Sequence, residues 1–273
     1  MKLYYANSTK AHADVIVLGI PYDRTSSFIP GSRFGPQFIR QCSENIEDYS
    51  PYQNKTLCDL KICDMDDIQF YGDNWLQQIE KEVSNIHDGR RSPVFLGGEH
   101  TITAPIIRAI HKKAGAFTIV QFDAHCDLRD EYLGEKDCHA TAMRRVIDVL
   151  GADRVFQFGI RSGTKEEFAS GKNLFKYKAF EPLSKVIDRI KDPIYITIDV
   201  DVCDPGVLPA VSTPEPGGIS YRELIDSLIL FKGKRVIAGD IVEYNPLAAP
   251  PYASGSTVAE VLRELILVMA HQG

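Results

Sequence analysis

No stretch of this 273-residue chain approaches the roughly 20 consecutive apolar residues that a membrane-spanning helix needs. Residues 1–7 also lack the apolar core of a secretory signal, so a soluble, cytoplasmic protein is expected. Positive charge is in short supply: 31 Lys and Arg against 37 Asp and Glu leave a formal net charge of -6. A nucleic-acid surface is therefore not expected, whereas a small cationic substrate is compatible with the balance. The six cysteines (Cys42, Cys58, Cys63, Cys126, Cys138 and Cys203) form no C-x-x-C pair. Neither a zinc knuckle nor a disulfide framework is indicated, and the six read as reduced thiols. No internal repeat or low-complexity tract divides the chain.

What is present is an ordinary globular balance, 44% hydrophobic and 25% charged, in a length that fits one large α/β domain over residues 1–273. Apolar, β-branched strand patterns recur at 15–20, 57–63, 93–96, 117–122, 154–160, 173–178, 194–200 and 235–241. Helical spacing lies between them at 36–42, 75–87, 101–113, 141–150, 183–191, 220–231 and 257–270. Strands alternating with helices predict a parallel sheet covered on both faces. Two loops rich in Gly and Pro, 26–36 and 213–218, read as stiff, shaped connections.

The chemistry gathers at strand exits. The run Phe-Thr-Ile-Val-Gln-Phe-Asp-Ala-His-Cys-Asp, 117–127, ends in Asp123, His125 and Asp127, which share one side if the backbone stays extended. The strand at 194–200 ends in Asp199, with Asp201 two positions on, and 93–96 runs through Gly97, Gly98 and Glu99 into His100. Taken alone, a D-x-H-x-D is equally a solvated turn. Three such exits are another matter, because open parallel sheets collect their sites at the carboxyl ends of strands. Burying these charges without a cation is costly, so a metal is the economical explanation. Four carboxylates and two imidazoles exceed one zinc site. Two ions about 3.5 to 4 Å apart, bridged by carboxylates, account for the number. An oxygen-rich donor set with some imidazole favours manganese(II). Such a pair brings the pKa of a shared water toward neutrality and so makes the nucleophile of a hydrolase.

The segments Gly98-Glu99-His100, Asp123-Ala-His-Cys-Asp127, Asp199-Val-Asp201 with Asp204-Pro205, and Pro216-Gly217-Gly218 with Asp240-Ile-Val-Glu243 resemble the ureohydrolase family of arginases and agmatinases. The resemblance runs in order over nearly the whole chain, and loop 26–36 with His139-Ala-Thr-Ala-Met-Arg-Arg145 looks closer to agmatinases. It implies a three-layer α/β/α sandwich with a parallel sheet of about eight strands, usually in a homotrimer or homohexamer. It also implies two Mn2+ per subunit, one on His100, Asp123, Asp127 and Asp199, the other on His125, Asp123, Asp199 and Asp201. The implied reaction is hydrolysis of the guanidinium group of agmatine to putrescine and urea, a step of polyamine biosynthesis. Guanidinobutyrate, arginine or aminopropylagmatine as substrate, or a non-catalytic metal-binding relative, are the alternatives.

Position by position, Asp127 would orient the attacking hydroxide and pass its proton to the leaving nitrogen. His139 matches the proton shuttle, suited by an imidazole pKa of about 6.5. Glu243 matches the carboxylate that grips the guanidinium, and Thr213 would line the same pocket. For the distal end, Arg129 suits a carboxylate, whereas Asp130 and Glu131 suit an ammonium; the ammonium is favoured. Val211-Ser212-Thr213 stands where the family usually has Gly-Thr, so a stiffer loop is expected there.

Overall fold

The computed structural model describes residues 1–191 and 193–270. The chain forms β1 (Val15–Ile20), α1 (Gly35–Cys42), a small hairpin of β2 (Tyr49–Ser50) and β3 (Lys55–Thr56), β4 (Ile62–Asp67), α2 (Trp75–Ile86) and β5 (Ser92–Gly97). There follow α3 (Thr103–Ala114), β6 (Thr118–Phe122), α4 (Ala142–Leu150), β7 (Val155–Ile160), α5 (Lys165–Ser170) and β8 (Asn173–Lys176). The last part adds α6 (Phe180–Val186), β9 (Ile194–Asp199), α7 (Tyr221–Ile229), β10 (Val236–Val242) and α8 (Pro251–Met269).

Eight strands pair in the order β4-β1-β5-β10-β9-β6-β7-β8, and each pairing is parallel. Successive side chains of a strand point to opposite faces, so one apolar run feeds two cores. Val15 and Val17 enter one core with Ile194 and Ile196, while Ile16, Leu18 and Ile20 enter the other with Tyr195. On the second face lie α2, α3 and α4, through Ile79, Val83, Ile106, Ile110, Met143 and Val146. On the first lie α1, α6, α7 and α8, through Ile39, Leu183, Leu224, Leu228, Leu262 and Leu265. The result is the expected α/β/α sandwich. No described helix is long and apolar enough to cross a membrane.

Several boundaries differ from the sequence pattern for local reasons. Helix α8 starts at Pro251 rather than 257, since a proline in the first turn gives up an N–H that has no intrahelical partner anyway. Helix α6 stops at Val186, and a tight turn over Ile187–Arg189, closed by Ile190 N–H donating to Ile187 O, replaces the expected extension to 191. The strand expected at 57–63 becomes a turn at Leu57–Asp59 followed by β4. The unexpected α5 carries a capping box between Thr164 and Glu167, a signal that was in the sequence.

Topology places the site. From β5 the chain passes to β6 and leaves two positions between them, later filled by β9 and β10. Four neighbouring strands, β5, β10, β9 and β6, therefore end side by side where the strand order reverses, the usual location of a crevice. Two backbones come close at Gly98, where the exit of β5 passes the exit of β1. A Cβ there would stand 2.0 Å from the carbonyl oxygen of Tyr22. Gly98→Ala is expected to destabilise the fold by about 1–3 kcal/mol, read as a lower denaturant midpoint at unchanged m. An unchanged midpoint would show that this crossing has slack.

Candidate metal centre and active site

His100 follows β5, Asp123, His125 and Asp127 follow β6, Asp199 ends β9 with Asp201 just beyond, and Glu243 follows β10. All are buried except His125, which is half-buried. The segment 123–127 does not stay extended, as the sequence pattern supposed. Asp127 turns into the left-handed region at φ 54, and the turn brings its Oδ2 to 3.0 Å from His100 Nδ1. Glu243 is likewise left-handed at φ 66, and its Oε1 accepts the His100 backbone N–H at 2.8 Å.

Two donor clusters result, and Asp123 belongs to both. One donor atom each from His100, Asp123 and Asp199 lie within 4.8 Å of one another, as do one each from Asp123, His125 and Asp201. In the first, His100 Nδ1 is 3.0 Å from Asp123 Oδ2 and 3.5 Å from Asp199 Oδ2. In the second, His125 Nδ1 is 2.9 Å from Asp201 Oδ2 and 3.6 Å from Asp123 Oδ1. The backbone helps to fix the carboxylates: Asp201 N–H donates to Asp199 Oδ1 at 2.9 Å and Ala124 N–H to Asp201 Oδ1 at 3.0 Å.

This arrangement is electrostatically unfinished. His100 Nδ1 and Asp201 Oδ2 are buried and have no hydrogen-bond partner. Burial, with the neighbouring charges of Asp201 and Asp123, holds the Asp199 carboxyl well above the usual carboxylate range. Burial and the charge of Asp123 push Asp127 up to about 6. Burial and Glu99 push Glu243 up to about 8. For His100, burial pulls the pKa down, but contacts with Asp123, Asp127 and Asp199 outweigh it and raise the pKa well above the ordinary value. Buried lone pairs converging on one another, with too few protons among them, suit divalent cations. Oxygen and imidazole donors are the chemistry that manganese accepts.

Behind the donors stands a second layer. The outer nitrogen of His100, Nε2, meets Thr197 Oγ1 at 2.9 Å, and Thr197 donates to the fully buried Asp240 at 2.5 Å. Asp240 also accepts from Tyr195 at 2.6 Å and Thr103 at 2.8 Å, so β9, β10 and α3 jointly set the ring's orientation. Gln121 donates to Asp123 Oδ2 at 2.6 Å. Buried Glu99 accepts Thr25 Oγ1 at 2.6 Å and Thr101 Oγ1 at 2.7 Å, which ties the 23–36 loop to the site. The sequence motif contained Asp240 and Glu99, but nothing local revealed these partners.

A cavity of about 190 Å³ opens over the clusters and is lined by His100, His125, Asp127, Asp199, Thr213 and Glu243. His139 lines it too, with Nε2 3.1 Å from Ser27 Oγ of the Gly/Pro-rich loop. Burial, and then the charges of His125 and His100, lower the His139 pKa to about 4 in the metal-free protein, below the value of about 6.5 that the sequence reading assumed for a shuttle, so its imidazole is neutral. Asp130 and Glu131 are exposed and do not line the cavity; the Arg145 guanidinium holds Asp130 at 2.6 Å. In their place the wall carries Arg129, whose guanidinium lies 4.5 Å from the Tyr132 ring centre, and Glu167. Sequence reading missed Glu167. Its oxygens accept from Leu128 N–H at 3.0 Å and Thr164 N–H at 2.8 Å and face Arg129 Nε at 3.4 Å. Burial raises the thiols of Cys126 and Cys138, and that of Cys203 to about 12, so none is a thiolate nucleophile.

Fold and site together define an α/β/α protein with two clusters of candidate metal ligands, rich in carboxylates, at the strand ends. Residues 13–268 match the model of the arginase family, and the chain belongs to that family. It is 40% identical over 265 residues to an agmatinase from Bacillus anthracis, covering 93% of this chain and 91% of that one. To a guanidinobutyrase from Pseudomonas aeruginosa it is 36% identical over 279 residues, covering 94% and 86% of the two chains. The solved agmatine ureohydrolase of Thermoplasma volcanium superposes with a TM-score of 0.89 at 32% identity, covering 98% of this chain and 94% of that one.

Proposed function

We propose that this protein hydrolyses agmatine to putrescine and urea. The observation that carries the proposal is the pair of clusters sharing Asp123 on the floor of a cavity that also holds Glu243. The agmatinase relatives supply the substrate. His100, Asp123, Asp127 and Asp199 would hold one manganese ion, and His125, Asp123, Asp199 and Asp201 the other. Bound there, the ions supply Lewis-acid charge and acidify water for hydrolysis at cellular pH.

The chain's own residues do the rest. Glu243 takes a planar guanidinium by two parallel N–H contacts. In the metal-free protein burial and the charge of Glu99 raise its pKa to about 8, and nearby positive charge favours its ionised form. Asp127 accepts a proton from the attacking water and delivers it to the leaving nitrogen. His139, neutral and at the cavity wall, carries protons to solvent, and Ser27 orients its ring. Thr213 packs beside the guanidinium. The same reading brings with it a homotrimer or homohexamer, a cytoplasmic location and a place in polyamine formation, supported by the family resemblance.

Arg129 on the wall favours a second reading, a guanidino acid such as guanidinobutyrate. Urea release across agmatine, guanidinobutyrate, arginine and aminopropylagmatine, with manganese present, separates the two. Agmatine is expected to lead by about 100-fold in kcat/KM, the scale at which a site rejects a substrate that leaves its polar groups unmatched. Guanidinobutyrate in the lead would transfer the role of distal-end reader to Arg129, and no urea from any of the four would end the hydrolase reading.

A further inference from the structure

The loop Thr213-Pro214-Glu215-Pro216-Gly217-Gly218 contributes Thr213 to the cavity, but its carboxylate, Glu215, has so far no role. His125 directs Nδ1 inward, 2.9 Å from Asp201 Oδ2, and Nε2 outward, 3.7 Å from Glu215 Oε1. A neutral imidazole has one proton. If Nδ1 offers its lone pair to a cation, the proton is on Nε2 and needs an acceptor.

The acceptor is set in advance. Glu215 Oε1 takes a hydrogen bond from Ser162 Oγ at 2.8 Å, and Ser162 pairs through its backbone with His125. The Arg161 guanidinium donates to the carbonyls of Glu215 at 2.8 Å and Pro216 at 3.1 Å. Asp204 Oδ2 accepts Gly217 N–H at 2.9 Å and Gly218 N–H at 3.2 Å. Any side chain at 218 would break this clamp, because a Cβ there would lie 2.4 Å from the Asp204 nitrogen. Two prolines, two glycines and two charged anchors thus hold one carboxylate against the outer edge of one imidazole. The other imidazole differs: the outer nitrogen of His100 meets only the hydroxyl of Thr197.

We infer that Glu215 is a positioning residue for His125. Its carboxylate accepts the Nε2 proton, directly or through one water, which fixes the tautomer and makes Nδ1 a stronger donor. The inference rests on the proposed reading that the His125 cluster holds a manganese ion.

Manganese titration of the full chain, followed by calorimetry and by electron paramagnetic resonance, tests it without recourse to activity. The unaltered protein is expected to take up two ions. In Glu215→Gln, one of the two should bind about 10- to 100-fold more weakly, the other should be unchanged, and the metal-free unfolding midpoint should stay in place. Ser162→Ala, which frees the carboxylate without removing it, should weaken the same ion by a smaller factor. A purely structural role for the loop predicts the reverse, lower midpoints in both variants with both ions bound as before, and that result overturns the inference alone. Uptake of fewer than two ions by the unaltered protein would overturn the two-ion reading together with it.

Discussion

Asp127→Asn is expected to lower the kcat for agmatine by about 10³-fold while the protein remains folded. Asparagine is nearly the same shape, keeps one oxygen toward His100 Nδ1, and tolerates the left-handed backbone that Asp127 adopts at φ 54. What it removes is the capacity to take a proton and release it again. Burial and the charge of Asp123 put that carboxyl at about 6 in the metal-free protein. Steady-state urea release, with manganese content measured on the same sample, checks the expectation. A near-normal kcat at full metal content would contradict the role assigned to Asp127. A lost ion would instead mark it as chiefly a ligand.

Stripping divalent ions should abolish turnover and lower the unfolding temperature, by more at pH 8 than at pH 6. In the metal-free protein, Asp199 lies well above its ordinary value, Asp127 near 6 and Glu243 near 8, and the pKa values of His100 and His125 are raised. A group raised in the folded state adds stability in full below its unfolded pKa, and that stability is lost as pH rises through the folded pKa. Glu243, with a folded value of about 8, and His100 and His125, raised from an ordinary 6.5, therefore destabilise the metal-free fold between pH 6 and 8, whereas Asp127 has lost most of its contribution by about pH 6. Asp123, lowered against its burial by contacts with His100 and His125, acts in the opposite sense but only below the ordinary value of 3.8, outside this window. Bound ions replace the missing protons, so the loaded protein should vary little over the same range. At 100-fold excess over Kd each ion adds about 2.7 kcal/mol, or about 5–10 °C in a domain of this size. Scanning calorimetry at the two pH values, with and without manganese, reads the difference. A gap that does not widen with pH would mean the carboxylates are relieved in some other way.

The candidate metal ligands were legible because their placement is local. A strand that runs out of apolar residues into Asp or His announces its own end, and in a parallel sheet neighbouring ends converge. The sheet itself was legible for the same reason. Its order, and with it the adjacency of β5, β10, β9 and β6, was not, because a strand pattern does not say which strands become neighbours. The distal-end residues show the limit most clearly. Asp130 and Glu131 stand close to Asp127 in sequence, yet Asp130 is drawn to Arg145 on α4 and the cavity wall goes to Glu167 at the start of α5. In a loop, closeness along the chain does not fix direction. Asp240 and Glu215 escaped for a related reason: each acts through a residue from another strand, and only packing brings them together.

Asp127 and Glu243 both hold a conformation that costs a side-chain-bearing residue about 1–2 kcal/mol. In the metal-free protein, glycine at either position would relax the main chain and clear a desolvated acid from the interior, against the loss, at Glu243, of the acceptor of the buried His100 N–H. Selecting the metal-free chain for heat endurance alone would therefore be drawn toward substitutions at the proposed site residues, and any such selection has to screen for urea at every round.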